Sequence, residues 1–305
     1  MYPSEPAVPA TPEGVGLTAL LVAQARALES GRPDRLFDDS LATDFVVAAG
    51  PAYSAIAARI DDRLTFQRAC VAIRTRFFDD CLLDAASAGC RQVVVLGAGL
   101  DARAFRLAWP SGLRLFELDQ ADVVDFKEQV LSSRAARPTC ERRVVRADLR
   151  EEWPAALVAA GFRANEPTAW LAEGLLMYLT EGERNRLLHC IGRLSTSGSR
   201  LALDHRGPAA AEPQAAPGRS SRGAGEAGGE HRQQDGESPV ALLGIRMHVG
   251  ETDRSLTDPT EWLADHGWRA TVYPAAECFV RYGRPVPAAL AASGVRLWLA
   301  TAARA

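Results

Sequence analysis

Over residues 14–30 (GVGLTALLVAQARALES) apolar side chains recur at helical spacing with few breakers, and Gly31-Arg32-Pro33 follows. The spacing predicts a helix that stops there, because proline cannot continue the hydrogen-bond ladder. Further helical segments run to about Ala88, the clearest over 66–88, so residues 14–90 read as a helical region. The period then changes. Short β-branched apolar runs at 92–96, 113–117, 142–146, 168–172 and 200–204 alternate with helix-length stretches. Such alternation predicts a parallel sheet with helices on both faces, and runs at 268–273 and 295–301 are placed to close it. Ligands of an open sheet of this kind bind beyond the carboxyl ends of the strands.

Composition narrows this picture. The chain has 305 residues, 47% of them apolar, enough for one large core over 91–305 with a helical cap. A net charge of −3, with basic residues scattered among acids, argues against nucleic acid as a partner, and Arg142, Arg143 and Arg146 read as a solvated strand edge. No stretch approaches the roughly 18 apolar residues of a membrane span. The opening MYPSEPAVPATPEG lacks the basic start and apolar core of a signal peptide, which leads us to expect a flexible arm over 1–13 and a cytoplasmic protein. The six cysteines show no metal-ligand spacing and read as reduced packing residues, with no metal site expected. Residues 207–239 are rich in Gly, Pro, Ala and charge with little to bury, and read as a disordered insertion.

The strand ends carry the chemistry. The run 92–96 leads into Gly97-Ala98-Gly99-Leu100-Asp101-Ala102, whose glycines allow a tight turn and close approach of a ligand. The same residues satisfy the glycine pattern of a dinucleotide fold. Next come Glu117 and Asp119, of which Asp119 stands nearer the strand end and is placed to accept from ribose hydroxyls. Asp148 follows the third run; it reads either as an acceptor for an adenine amino group or as a helix N-cap. After the fourth run, Glu173 and Tyr178 are the polar groups of AEGLLMYL, and Thr180 with Glu183 predicts a capping box.

The segments LGAGLDAR, FELDQADVVDF, RADL and AEGLLMYL, preceded by AIRTRFFDD, together resemble the leucine carboxyl methyltransferase-like superfamily, nearest its bacterial methyltransferase and polyketide O-methyltransferase branches. The resemblance covers 14–204 well and the end more loosely. It implies a class I, Rossmann-like methyltransferase fold and S-adenosylmethionine as cofactor. It further implies that Arg74, with Arg76 as the alternative, holds the methionine carboxylate, and that Gly97 and Gly99 lie against the methionine part. By the same resemblance Asp119 binds ribose, Asp148 and Leu149 contact adenine, Glu173 lies beside the cofactor, and Tyr178 stands near the transferred methyl. The family loop usually has threonine where this chain has Ala102.

The activity so expected is O-methylation of a carboxyl or hydroxyl group on a small acceptor, polyketide-type metabolites included. A carboxylate needs no base, whereas a phenol does, and His205 after the fifth run is the candidate, with Asp204 as its neighbour. His248 is second and His266 third. Two rival readings stay open: a nicotinamide-dependent oxidoreductase, and a catalytically silent cofactor-binding protein. A homo-oligomer is compatible with all of them.

Overall fold

The computed structural model describes residues 15–60, 65–208, 254–292 and 295–304. The arm over 1–13, nearly all of the 207–239 insertion, His231 and His248 lie outside them. Four helices come first: α1 Val15–Ser30, α2 Ser40–Ala48, α3 Gly50–Ile60 and α4 Thr65–Ser87. The core follows as β1 Gln92–Leu96, α5 Arg103–Arg106, β2 Arg114–Asp119, α6 Ala121–Ser133, β3 Glu141–Arg146, α7 Trp153–Ala159, β4 Thr168–Ala172, α8 Glu181–Arg193 and β5 Arg200–Pro208. It ends with α9 Arg254–Thr257, α10 Pro259–Asp265, β6 Trp268–Pro274, α11 Ala275–Arg281, α12 Ala288–Ala292 and β7 Val295–Arg304.

The strands form one sheet of order β3-β2-β1-β4-β5-β7-β6. The first five are parallel, as the alternation predicts, but β7 runs antiparallel to both β5 and β6, so the sheet is mixed. All of β1 and β4 is buried, because both faces of the sheet are covered; hence their unbroken apolar runs. On one face Trp170, Leu203 and Trp298 pack under α7, α8 and α10. On the other, Val93, Val95, Leu171 and Leu299 pack under α4 and α11. Leu20 of α1, Phe45 of α2 and Tyr53 of α3 form a third cluster with Phe126 and Val130 of α6, so the cap shares its core with the sheet layer.

Strand β1 lies between β2 and β4, so chain connections leave it in opposite directions and open a crevice at its carboxyl end. Strand β3 is an edge strand, as its arginines suggest. Only Arg143 and Arg146 are exposed, however; the Arg142 guanidinium is buried and donates to Glu117 and Glu128 at 2.7 and 2.6 Å. No described helix is long and apolar enough to cross a membrane.

Candidate active site

The crevice is a cavity of about 280 Å³ walled by the ends of β1, β2, β4 and β5 and roofed by α1 and α4. Gly97 and Gly99 form its floor with φ of 61° and 49°, a region that favours glycine. A Cβ on Gly97 would come within 3.1 Å of Leu175 Cδ1, and one on Gly99 within 3.2 Å of the Ala19 Cβ on α1. The floor is thus shaped for close approach from above. Asp119 ends β2 beside it, accepting from the Gly99 N–H at 2.5 Å and the Gln120 N–H at 2.7 Å. Burial pushes the Asp119 carboxyl up despite those two bonds.

Asp148 also lines the cavity, but not as a helix cap. Helix α7 starts later, with Glu152 at the cap position, and the Asp148 carboxylate accepts instead from the backbone N–H and the guanidinium of Arg150. These bonds, the side-chain one foremost, hold its pKa below the ordinary value. Leu149 lines the same wall. The predicted capping box of Thr180 and Glu183 is present at the start of α8.

Glu173, just past β4, is the hub of the site. Its Oε1 accepts from Arg26 and Arg74 at 3.0 Å each, and its Oε2 from Arg103 at 2.6 Å. Burial alone would push this carboxyl up; Arg103, Arg26 and Arg74 outweigh it and hold the group far below the usual range. Arg74 also donates to Asp204 Oδ2 at 3.2 Å, while Asp204 Oδ1 accepts from the Gly174 N–H at 2.7 Å. Arg103 is fully buried and reaches Asp79 and Asp101 as well. Asp101 Oδ1 accepts from the Arg103 N–H at 2.7 Å at the start of α5, the place where Ala102 has no hydroxyl to offer. Arg76 is elsewhere: it bonds Leu36 and Asp80 and does not line the cavity.

The structure therefore brings Arg74, Gly97, Gly99, Asp119, Asp148, Leu149, Glu173 and Tyr178 together around one space. His205 is not among them. Strand β5 continues through it to Pro208, and the two-residue period turns Asp204 and Arg206 to the cavity but His205 to the opposite face. There its ring is fully buried edge-on against Trp298, 6.0 Å between centroids, so it cannot serve as the expected base. His266 bonds Trp262 on α10, also away from the cavity. Among the cavity residues that escaped the sequence reading are Arg26 on α1, Gln67, Arg68 and Cys70 on α4 and Arg206 on β5. Gln67 Oε1 is shielded from solvent and accepts no hydrogen bond among the described residues.

A mixed sheet whose antiparallel seventh strand lies between the fifth and sixth, with acids at successive strand ends around one cavity, defines an α/β class I methyltransferase. Two solved structures share this fold: a DUF574 family protein from Streptomyces avermitilis (TM-score 0.58, 14% identity, 93% of this chain and 97% of that one) and a "putative methyltransferase" from Thermobifida fusca (0.55, 15%, 92% and 94%). The sequence model described as leucine carboxyl methyltransferase matches residues 19–192. A "Putative S-adenosyl-L-methionine-dependent methyltransferase" of Parafrankia sp. is 46% identical, over 96% of this chain and 88% of its own. One of the same name from Streptomyces coelicolor is 44% identical over 90% of each. The chain belongs to the leucine carboxyl methyltransferase family, and S-adenosylmethionine is its cofactor. This sets aside the nicotinamide reading of the glycine loop.

Proposed function

We propose that the protein methylates an oxygen, carboxyl or hydroxyl, of a small acceptor. The observation that carries this reading is the division of charge in the cavity. Among the described residues, every lining acid stands at or near the strand ends: Asp101, Asp119, Asp148, Glu173 and Asp204. The wall made by the first turns of α4, the end of β5, β7 and the segment after β4 offers Arg68 and Arg206 amid Phe66, Leu297 and Tyr178. A protonated amine gains nothing from such a wall, whereas an oxygen anion is attracted to it.

S-adenosylmethionine supplies a methyl group already activated on a sulfonium, so the protein's work is to align the acceptor and exclude water. Arg74 is placed to hold an amino-acid carboxylate while Glu173 and Asp204 fix its guanidinium. Asp119 is the acceptor for ribose hydroxyls, Gly97 and Gly99 leave room for the aliphatic part, and Asp148 with Leu149 receives adenine. Tyr178, which lines the same cavity, is the residue we assign to the side of the acceptor. The polyketide branch of the sequence resemblance makes secondary-metabolite acids and phenols the first acceptors to screen.

The test is calorimetric titration with S-adenosylhomocysteine, NADH serving as control. Micromolar binding of the former alone is expected, and Asp119→Ala should weaken it by about 1.5–3 kcal/mol, the scale of a charged hydrogen bond. Unchanged affinity in the variant would remove the ribose assignment. Absence of binding in the wild type would remove the function.

A further inference from the structure

Away from the crevice, strand register builds a second cavity on the sheet face that packs under α4 and α11. Arg200, at the start of β5, pairs with Ala303 of β7, and Ala303 pairs in turn with Arg269 of β6. Residues opposite one another share a face, so the two arginines flank one alanine methyl, two strand spacings or about 10 Å apart. The next row on this face is Ala202, Thr301 and Thr271, and the row after it brings Tyr273 beside Leu299. The Tyr273 ring meets that of Phe77 on α4, 5.4 Å between centroids, and the Arg281 guanidinium at the end of α11 lies 6.0 Å from the Phe77 ring. Leu299 is buried in the core, whereas the rows of Thr301 and Ala303 stay partly open. Between them and Cys81 and Ala85 of α4 is a cavity of about 590 Å³. It shares no described lining residue with the crevice, and its arginine pair stands at the opposite end of β5.

We propose that this cavity binds an organic anion with a flat apolar body, the acid group lying between Arg200 and Arg269. Charge complementarity carries the assignment. None of the three cavity arginines, Arg200, Arg269 and Arg281, has a carboxylate partner among the described residues. Two acids share the lining, both on α4: Asp80 is taken by Arg76 and the Tyr282 hydroxyl, and Asp84 stands on the helix wall, so the sheet side is positive. Two guanidiniums that face each other across one strand repel, and an anion set between them relieves both. Each presents a planar fork that matches the oxygens of an acid group. The body of the ligand is defined by the floor. Alanines and threonines leave a shallow, even surface, and the Phe77 and Tyr273 rings close its far end, where a flat apolar group loses water on both faces. The volume is that of a site for one small organic molecule.

The experiment is calorimetric titration of the full-length protein, saturated with S-adenosylhomocysteine, with phenylbutyrate, phenylbutanol and phenylbutylamine. Wild type is compared with Arg200→Gln/Arg269→Gln; both arginines are exposed, so their exchange spares the core. The double variant should bind phenylbutyrate about tenfold more weakly, bind phenylbutanol as wild type does, and keep the wild-type affinity for S-adenosylhomocysteine. Any uptake of phenylbutyrate by the crevice is common to both proteins and cancels in the difference. That difference should shrink as salt is raised, because the pair is open to solvent. Ala303→Glu, which sets a carboxylate of the protein's own between the arginines, should produce the same loss. Superimposable phenylbutyrate isotherms for wild type and both variants, or no uptake by wild type, would overturn the proposal. An equal loss of phenylbutanol would overturn it too, since the arginines would then shape the cavity rather than hold a charge. Preference for phenylbutylamine over phenylbutyrate would reverse the sign of the site and do the same.

Discussion

Glu173 shows how the site depends on single residues. Its carboxylate is 6% exposed and neutralises parts of three guanidiniums that arrive from α1, α4 and the start of α5. Removing its charge takes the carboxylate from Arg26 and leaves Arg74 with Asp204 alone and Arg103 with Asp79 and Asp101, so Glu173→Gln should cost about 3 kcal/mol in urea unfolding. The pH dependence has a definite sign. The folded carboxyl lies below its ordinary 4.5, so the unfolded chain binds more protons, and the stabilisation present above pH 4.5 is lost as pH falls through the folded value. Asp204, which burial pushes up, acts in the opposite sense. Wild-type stability should therefore fall more steeply with acid than that of Glu173→Gln; equal slopes would mean the network does not govern acid unfolding. Glu173 was legible in the sequence because it closes a strand in a recognised segment. Its partners were not: Arg26 stands 147 positions away, and an arginine in an amphipathic helix reads as solvated until its partner is known. Arg206 escaped for a different reason. With the fifth run ending at Asp204 the residues after it read as loop, and only the pairing with β7 puts His205 and Arg206 on opposite faces.

At the scale of elements, strands β1 to β4 and β6 and helices α1 and α4 lie within two residues of their expected bounds, because unbroken apolar runs and helical spacing are strong signals. The exceptions lie where pairing sets the boundary. Strand β5 extends to Pro208 because β7 continues alongside it as far as Val295, and an antiparallel partner late in the chain leaves no local trace. The glycine loop was legible as a turn, but not the contact that makes Gly99 necessary. Helix α1 crosses directly over it, so a methyl on Gly99 meets Ala19 as well as an unfavourable φ of 49°. Gly99→Ala should destabilise the fold by about 1–2 kcal/mol from the left-handed backbone alone. It should also weaken S-adenosylhomocysteine binding, since α1 or the loop must shift at the Asp119 contact. Calorimetry and thermal melts on one preparation check both effects; lost stability with unchanged affinity would show that the loop's position is not critical to the ligand.

At the scale of the whole molecule the sequence suggests a single α/β domain with a helical cap over 14–90. In the structure the cap is continuous with the core. Arg26 donates to Thr75 and Glu173, Leu20 packs with Phe126 and Val130 of α6, and the cavity needs both parts to exist. A ligand held between strand ends and α1 must therefore stabilise α1 along with the sheet. At about 100 times its dissociation constant, S-adenosylhomocysteine should raise stability by about 2.7 kcal/mol. Amide exchange should slow across residues 16–26, not only at 97–101 and 119. Helix α3, which meets the cavity at no described residue, is the internal reference and should change less. Protection confined to the strand ends would mean that α1 opens independently while the ligand is bound. Substrate entry would then run past α1 rather than along the outer wall near Arg206, and the cap would be a door rather than a roof.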